Sequence, residues 1–100
     1  MTKYRKKPVE IEAVRFVADI HNEADPIDRM KALARWCGGE FDYDHHPGQE
    51  RKTYYWSIAI PTLEGRMIAS YGDWIARGVQ GEFYPIKDAI FRETHEEVEK

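Results

Sequence analysis

Glycine cuts the stretch from Gly65 to Gly81 into intervals of at most six residues, too short for any sizeable helix. Pro61, Gly65, Gly72, Gly78 and Gly81 together divide residues 53–86 into stretches of eight residues or fewer. Glycine costs a helix interior about 1 kcal/mol against alanine and supplies the positive φ of tight turns. Short antiparallel strands joined by turns are the fold such a sequence permits. The spacing predicts a strand over Thr53–Ile60, with Tyr54, Trp56, Ile58 and Ile60 on one face and Tyr55, Ser57 and Ala59 on the other. The aromatic and β-branched content suits that strand. A five-residue connection, Pro61–Gly65, then returns the chain into Arg66–Tyr71. After the break at Gly72-Asp73, Trp74–Arg77 and Glu82–Ile86 form a second hairpin around residues 78–81, and Pro85 either ends its last strand or puts it at an edge.

The first half reads differently. Val9, Ile11 and Ala13 alternate with Glu10 and Glu12, which predicts a strand over Val9–Val17 opened by Pro8. Its phase slips at Val14 and Phe16, as a bulge near Ala13 or burial of both faces would require. A helix of about Pro26–Cys37 follows. Asp25 is its N-cap, Pro26 its first residue and Gly38-Gly39 its end, and Ile27, Met30, Leu33, Ala34 and Cys37 form one stripe. Residues 40–52 are polar and read as a loop or frayed hairpin. Asp88 is placed to cap a short last helix with Ile90, Phe91, Thr94 and Val98 inward.

These elements predict an α+β fold of one domain, residues 1–100. It is a small antiparallel sheet of about five strands, able to curl into a partly open barrel, with one helix packed on it and a short C-terminal helix. A β-grasp arrangement is the alternative. A length of 100 residues with 42% hydrophobic side chains suits one core and argues against disorder. No stretch approaches the roughly 20 apolar residues of a membrane span, so no membrane partner is expected. The basic start runs into charged, strand-like residues rather than a secretory signal. The single cysteine, Cys37, cannot form an internal disulfide and points to a reducing compartment. On its stripe it reads as a small core hydrophobe rather than a nucleophile.

The stretch Lys3–Ala13 resembles the opening of a family of small proteins encoded by tailed phages and prophages. So do Ile60–Met67, Gly72-Asp73-Trp74-Ile75, Gly78–Pro85, Ile90-Phe91 and Thr94-His95-Glu96. The resemblance covers the first 16 residues and about the last 40. The chain departs from the family pattern with Ile86 where a cysteine is common and His95 where a tyrosine is usual. The resemblance implies phage origin and action in the cytoplasm of a bacterial host, and assigns no reaction.

Catalytic signals are weak, and a non-enzymatic role is expected. Ser57 and Ser70 fall in strands with no nucleophile-elbow turn. Glu64, Asp73 and Glu82 lie near turns where they could converge, but Asp73 after Gly72 suits a bond to its own backbone. No cofactor is expected, since Gly78–Gly81 joins two strands rather than opening a phosphate-binding helix. His45-His46, with His21, Asp42 and Asp44, offers metal donors without a supporting ligand spacing, so no metal site is expected.

Binding is the expected role, with a host bacterial protein as partner and growth inhibition or counter-defence as the effect. Tyr, Trp and Arg anchor interfaces. The candidate surface is Tyr71, Asp73, Trp74, Arg77, Glu82 and Tyr84. One alternative is sequestration of a nucleotide-like small molecule by Tyr71, Trp74 and Tyr84 with Arg66 or Arg77. Another is nucleic-acid binding through the arm of Lys3, Arg5, Lys6 and Lys7 around Tyr4, with Tyr54, Tyr55 and Trp56 as a stacking platform. The net charge of −3 opposes it. Residues 1–16 carry a net +3 and residues 88–100 a net −3, so the ends can attract within or between molecules. An exposed sheet edge makes a homodimer a further expectation.

If His45 and His46 are loop residues only, replacing both with alanine leaves the melting temperature unchanged with and without zinc. A wild-type melting temperature that falls on chelation overturns that expectation.

Overall fold

In the computed structural model, residues 1–5, 7–18, 26–43 and 56–98 are described. The fold is α+β, in the order β1 (Glu12–Arg15), α1 (Pro26–Trp36), β2 (Glu40–Tyr43), β3 (Trp56–Thr62), β4 (Gly65–Ser70), β5 (Trp74–Arg77), β6 (Phe83–Ile86) and α2 (Asp88–Thr94). No described helix is long and apolar enough to cross a membrane.

The described strands form two sheets of three, β1-β5-β6 and β2-β3-β4, with every pairing antiparallel. The small antiparallel α+β fold with two helices is the one expected, with its strands divided between two sheets of three rather than lying in one sheet of about five. The barrel is not closed. The cause is the Gly72-Asp73 corner, where β4 leaves the β3 ladder at Ser70 and Trp74 joins the ladder of β1 instead. Gly72 has φ 98°, and the Asp73 N–H donates to the Ser70 carbonyl at 2.9 Å. Such a turn needs positive φ at its third residue, which glycine supplies without a Cβ penalty.

The inner faces of both sheets and one face of α1 share a single core. Phe16, Met30, Ile58, Ile60 and Ile75 are fully buried in it, with Ile27, Leu33, Ala34, Cys37, Trp56 and Ala69 around them. The α1 stripe therefore lies where its periodicity put it. The helix ends in a Schellman arrangement: Gly39 N–H to Ala34 carbonyl at 2.8 Å and Gly38 N–H to Arg35 carbonyl at 3.2 Å, with Gly38 at φ 68°. Burial pushes the Cys37 thiol pKa up, and its Sγ meets the Ala34 carbonyl at 3.4 Å. Asp25, the expected cap, lies outside the described residues.

Several boundaries differ from the sequence expectation. β1 is shorter, and its unbroken register with β5 contains no bulge at Ala13. Val14 and Arg15, on opposite faces, are both half-buried, so cover on both sides accounts for the phase slip. Residues 40–43 are a strand rather than loop. Gly39 passes so close to the Ala59 carbonyl that a Cβ would collide with it, and Phe41 meets Phe16 and Trp56 edge-on at 6.3 and 5.5 Å. β3 also runs through Pro61 to Thr62, leaving a two-residue turn of Leu63-Glu64 in place of the five-residue connection. The Thr62 hydroxyl closes that turn, donating to the Gly65 carbonyl at 2.6 Å and accepting the Glu64 N–H at 3.1 Å.

α2 carries the last corrections. Its N-cap is Lys87, which makes no side-chain cap bond, and Asp88 is the first helical residue. Ile90 and Val98 are exposed rather than inward, and the Thr94 hydroxyl bonds back to the Ile90 carbonyl at 2.9 Å.

Leu33→Ala is expected to cost about 2–5 kcal/mol, the usual range for emptying a core leucine site. Gly39→Ala must also destabilise, because the atom it would strike is backbone. Urea midpoints for both variants check this; an unchanged midpoint for either contradicts the packing.

Candidate functional site

Antiparallel partners point to the same face of a sheet. In β1-β5-β6, Val14, Ile75 and Pro85 form one row and Ala13, Ala76 and Tyr84 the next. Ile75 is in the core, so Ala13, Arg15, Trp74, Ala76 and Tyr84 occupy the outer face.

α2 lies on that outer face through a run of stacked rings. Trp74 stacks on Phe91 at 4.1 Å and 12°, and Phe91 stacks on His95 at 4.6 Å and 5°. Phe91 and His95 are four residues apart, one helical turn, so they fall in line. Asp88 fastens the other end. Its Oδ1 accepts the Trp74 Nε1–H at 2.9 Å, and Arg92 Nε reaches its two oxygens at 3.1 and 3.0 Å. Arg15 stands 3.5 Å away. The Trp74 bond, then the Arg92 bond, and the Arg15 and Arg92 charges hold the Asp88 carboxyl below its ordinary pKa.

A cleft of about 380 Å³ opens beside this helix. It lies between the N-terminal segment (Lys7, Pro8, Val9 and Ile11), the β5–β6 hairpin (Gly78, Val79, Glu82 and Tyr84) and the end of α2 (Thr94 and His95). Val9 and Val79 are exposed apolar residues here, at 53% and 68%. Lys7, Glu82, Tyr84 and His95 supply its polar groups. Burial, then the Glu82 charge, pushes the Tyr84 phenol pKa up. Glu82 also closes its own hairpin: Oε2 accepts the Gln80 N–H at 2.9 Å, and the carboxylate fills the space a Cβ on Gly78 would need. The His95 Nδ1 sits 2.7 Å from the Thr94 hydroxyl.

Of the residues singled out in the sequence, Glu82 and Tyr84 line the cleft, and Trp74 shares their sheet face under Phe91. Tyr71 and Asp73 belong to the interior joint. The Tyr71 hydroxyl accepts the Ala18 N–H at 2.9 Å and reaches the Ala18 carbonyl at 3.2 Å. Asp73 is 6% exposed, and its Oδ2 accepts the Ser70 N–H at 2.8 Å and Lys87 Nζ at 3.2 Å. Arg77 is on the opposite sheet face, with its guanidinium 6.0 Å from the Phe83 ring centre. Arg66 pairs with Glu40 at 2.8 Å on the other sheet. The grouping of Tyr71, Trp74 and Tyr84 with Arg66 or Arg77 is therefore not assembled.

Lys3, Arg5 and Lys7 are exposed along the N-terminal arm; Lys6 lies outside the described residues. Trp56 is 4% exposed and meets Phe41 and Tyr71 edge-on, so it offers no stacking platform, and Tyr54 and Tyr55 lie outside the described residues. Glu64 through its backbone N–H, and Asp73 and Glu82 through their carboxylates, each serve a separate turn. Among the described residues no group of three or more His, Cys, Asp or Glu could hold a metal; His21, Asp44, His45 and His46 lie outside them.

Sequence reasoning missed Lys7, Val9, Val79 and His95 as neighbours of one cleft. The available signal was the four-residue spacing of Phe91 and His95, which aligns two rings on one helix face. No family model, curated protein or solved structure matches the chain.

The Asp88 clasp makes α2 docking acid-sensitive. A carboxyl held below its ordinary value of 3.8 in the folded state contributes stability above that value and loses it as pH falls through the folded pKa. The Trp74 indole N–H resonance is expected to shift on acidification below pH 3.8, and Asp88→Asn should abolish that titration. A Trp74 signal with the same acid titration in the variant contradicts the clasp.

Proposed function

We propose that the protein acts by non-enzymatic binding, as an accessory phage protein that engages a host bacterial protein in the cytoplasm. Its effect on the host is growth inhibition or counter-defence. The observation that carries the binding surface is the cleft beside α2, where exposed Val9 and Val79 flank half-buried Tyr84 and the charges of Lys7 and Glu82. Apolar contact next to an aromatic anchor, with charges of both signs around it, is the make-up of a protein interface. The resemblance of both chain ends to small phage proteins supports the setting, and those ends supply every segment that lines the cleft.

A second reading has its own observation. His95 ends the Trp74–Phe91–His95 stack at the cleft, near Lys7. A planar base could extend the stack while Lys7 meets a phosphate, as in capture of a nucleotide-like molecule.

Capture from bacterial lysate, followed by kinetics with the purified partner, tests the first reading. Tyr84→Ala and Val79→Glu should speed dissociation at least tenfold, whereas Lys7→Glu should mainly slow association. Each variant's unfolding midpoint is measured beside its binding. Unchanged kinetics in the folded Tyr84 and Val79 variants contradict the cleft as the interface. A calorimetric signal with purified nucleotides, lost in His95→Ala, favours the second reading. Affinity for nucleic acid that falls steeply with salt and depends on Lys3, Arg5, Lys6 and Lys7 assigns binding to the basic arm.

A further inference from the structure

The described sheets have four edge strands, and β4 is the least guarded. β1 carries Glu12 and Arg15, β2 carries Glu40 and Asp42, and β6 carries Pro85. Charges and proline are the usual protection of an edge. β4 is longer than these three, contains no proline, and has Arg66 as its single charge. Met67 and Ile68 stand next to each other on it, 39% and 55% exposed.

The ladder shows which backbone groups this edge offers. Thr62 and Gly65 flank a two-residue turn, so they form a hydrogen-bonded pair, and pairs alternate from there. Met67 and Ala69 then bond toward β3, while Arg66, Ile68 and Ser70 point their N–H and C=O groups outward. Two facts agree with this phase. Arg66 faces Pro61, which has no N–H to give, and both backbone groups of Ser70 are taken by Asp73. The open edge is therefore two residues, Arg66 and Ile68, whose backbone groups have no partner among the described residues.

We propose that β4 pairs antiparallel with β4 of a second copy, about a two-fold axis at Met67. In this register Arg66 of each copy meets Ile68 of the other, and four backbone hydrogen bonds use every open group on both edges. The Asp73 bonds to Ser70 stay intact. The single charge fits as well: Arg66 is already neutralised by Glu40 at 2.8 Å, and it faces an isoleucine rather than its own image. A register centred on Ile68 fits less well, because it sets Arg66 against the occupied Ser70. The two three-stranded sheets become one of six, away from the cleft beside α2, so this inference stands apart from the binding reading above.

Sedimentation equilibrium and a disulfide scan test it. Wild type is expected to be dimeric at tens of micromolar, and Ile68→Pro and Ile68→Lys monomeric with the circular dichroism of the wild type. The non-hydrogen-bonded Met67 pair has its Cα atoms about 4.5 Å apart, within disulfide range. Met67→Cys should therefore oxidise to a covalent dimer, and Ile68→Cys, offset along the strands, at least tenfold more slowly. A wild type that stays monomeric overturns the proposal. So does a dimer that survives both Ile68 variants, or equal cross-linking at the two positions.

Discussion

The two sheets depend on one corner. Gly72 donates its N–H to the Phe16 carbonyl and Asp73 accepts the Phe16 N–H at its own carbonyl, both at 2.8 Å. The end of β1 is thereby stitched to the link between β4 and β5. Phe16 is fully buried at that point, with Tyr71 edge-on at 5.7 Å. The Asp73 carboxylate fixes Ser70 on one side and draws Lys87 in on the other. Buried polar groups are costly unless bonded, so each of these contacts requires the others. The same corner carries the chain from one sheet to the next and sets where α2 begins.

From Lys87 onward the structure is built on the outside of a sheet rather than in a core. No residue of α2 is fully buried. The helix is held by ring stacking and by one carboxylate serving an indole and two guanidinium groups. Those contacts set the height at which His95 ends its stack, and with it one wall of the cleft. The opposite wall comes from the N-terminal segment, nearly the whole chain away. A site assembled this way has no local sequence motif, because its residues meet only after β1 has paired with β5.

The edges of the sheets show the same division of labour. Pro61 sits in a central strand, one residue from its end, an uncommon place for a residue without a donor. The ladder tolerates it because β2 starts opposite Ala59 and Pro61 faces Arg66 in a non-hydrogen-bonded pair. The Ser70 backbone groups, which would lengthen the open edge, are taken instead by the corner aspartate. The exposed part of β4 is thus what remains after the turn, the proline and the corner have each claimed their share.

Local chemistry by itself determined α1 and the β5–β6 hairpin. A proline at the start, a glycine pair at the end and a 3.6-residue stripe suffice for the helix, and glycines between two short apolar runs suffice for the hairpin. The α+β class followed from their order. Tertiary structure decided the rest. Residues 40–43 look polar, yet they form a strand because Gly39 lets the backbone close on β3 and Phe41 reaches the core. Tyr71 and Asp73 looked like surface binders until the corner enclosed them. The direction faced by α2 was set by Trp74, fourteen residues before Asp88, and not by the helix's own apolar residues. In each case the deciding energy is a contact between segments far apart in the chain, which periodicity and turn signals do not encode.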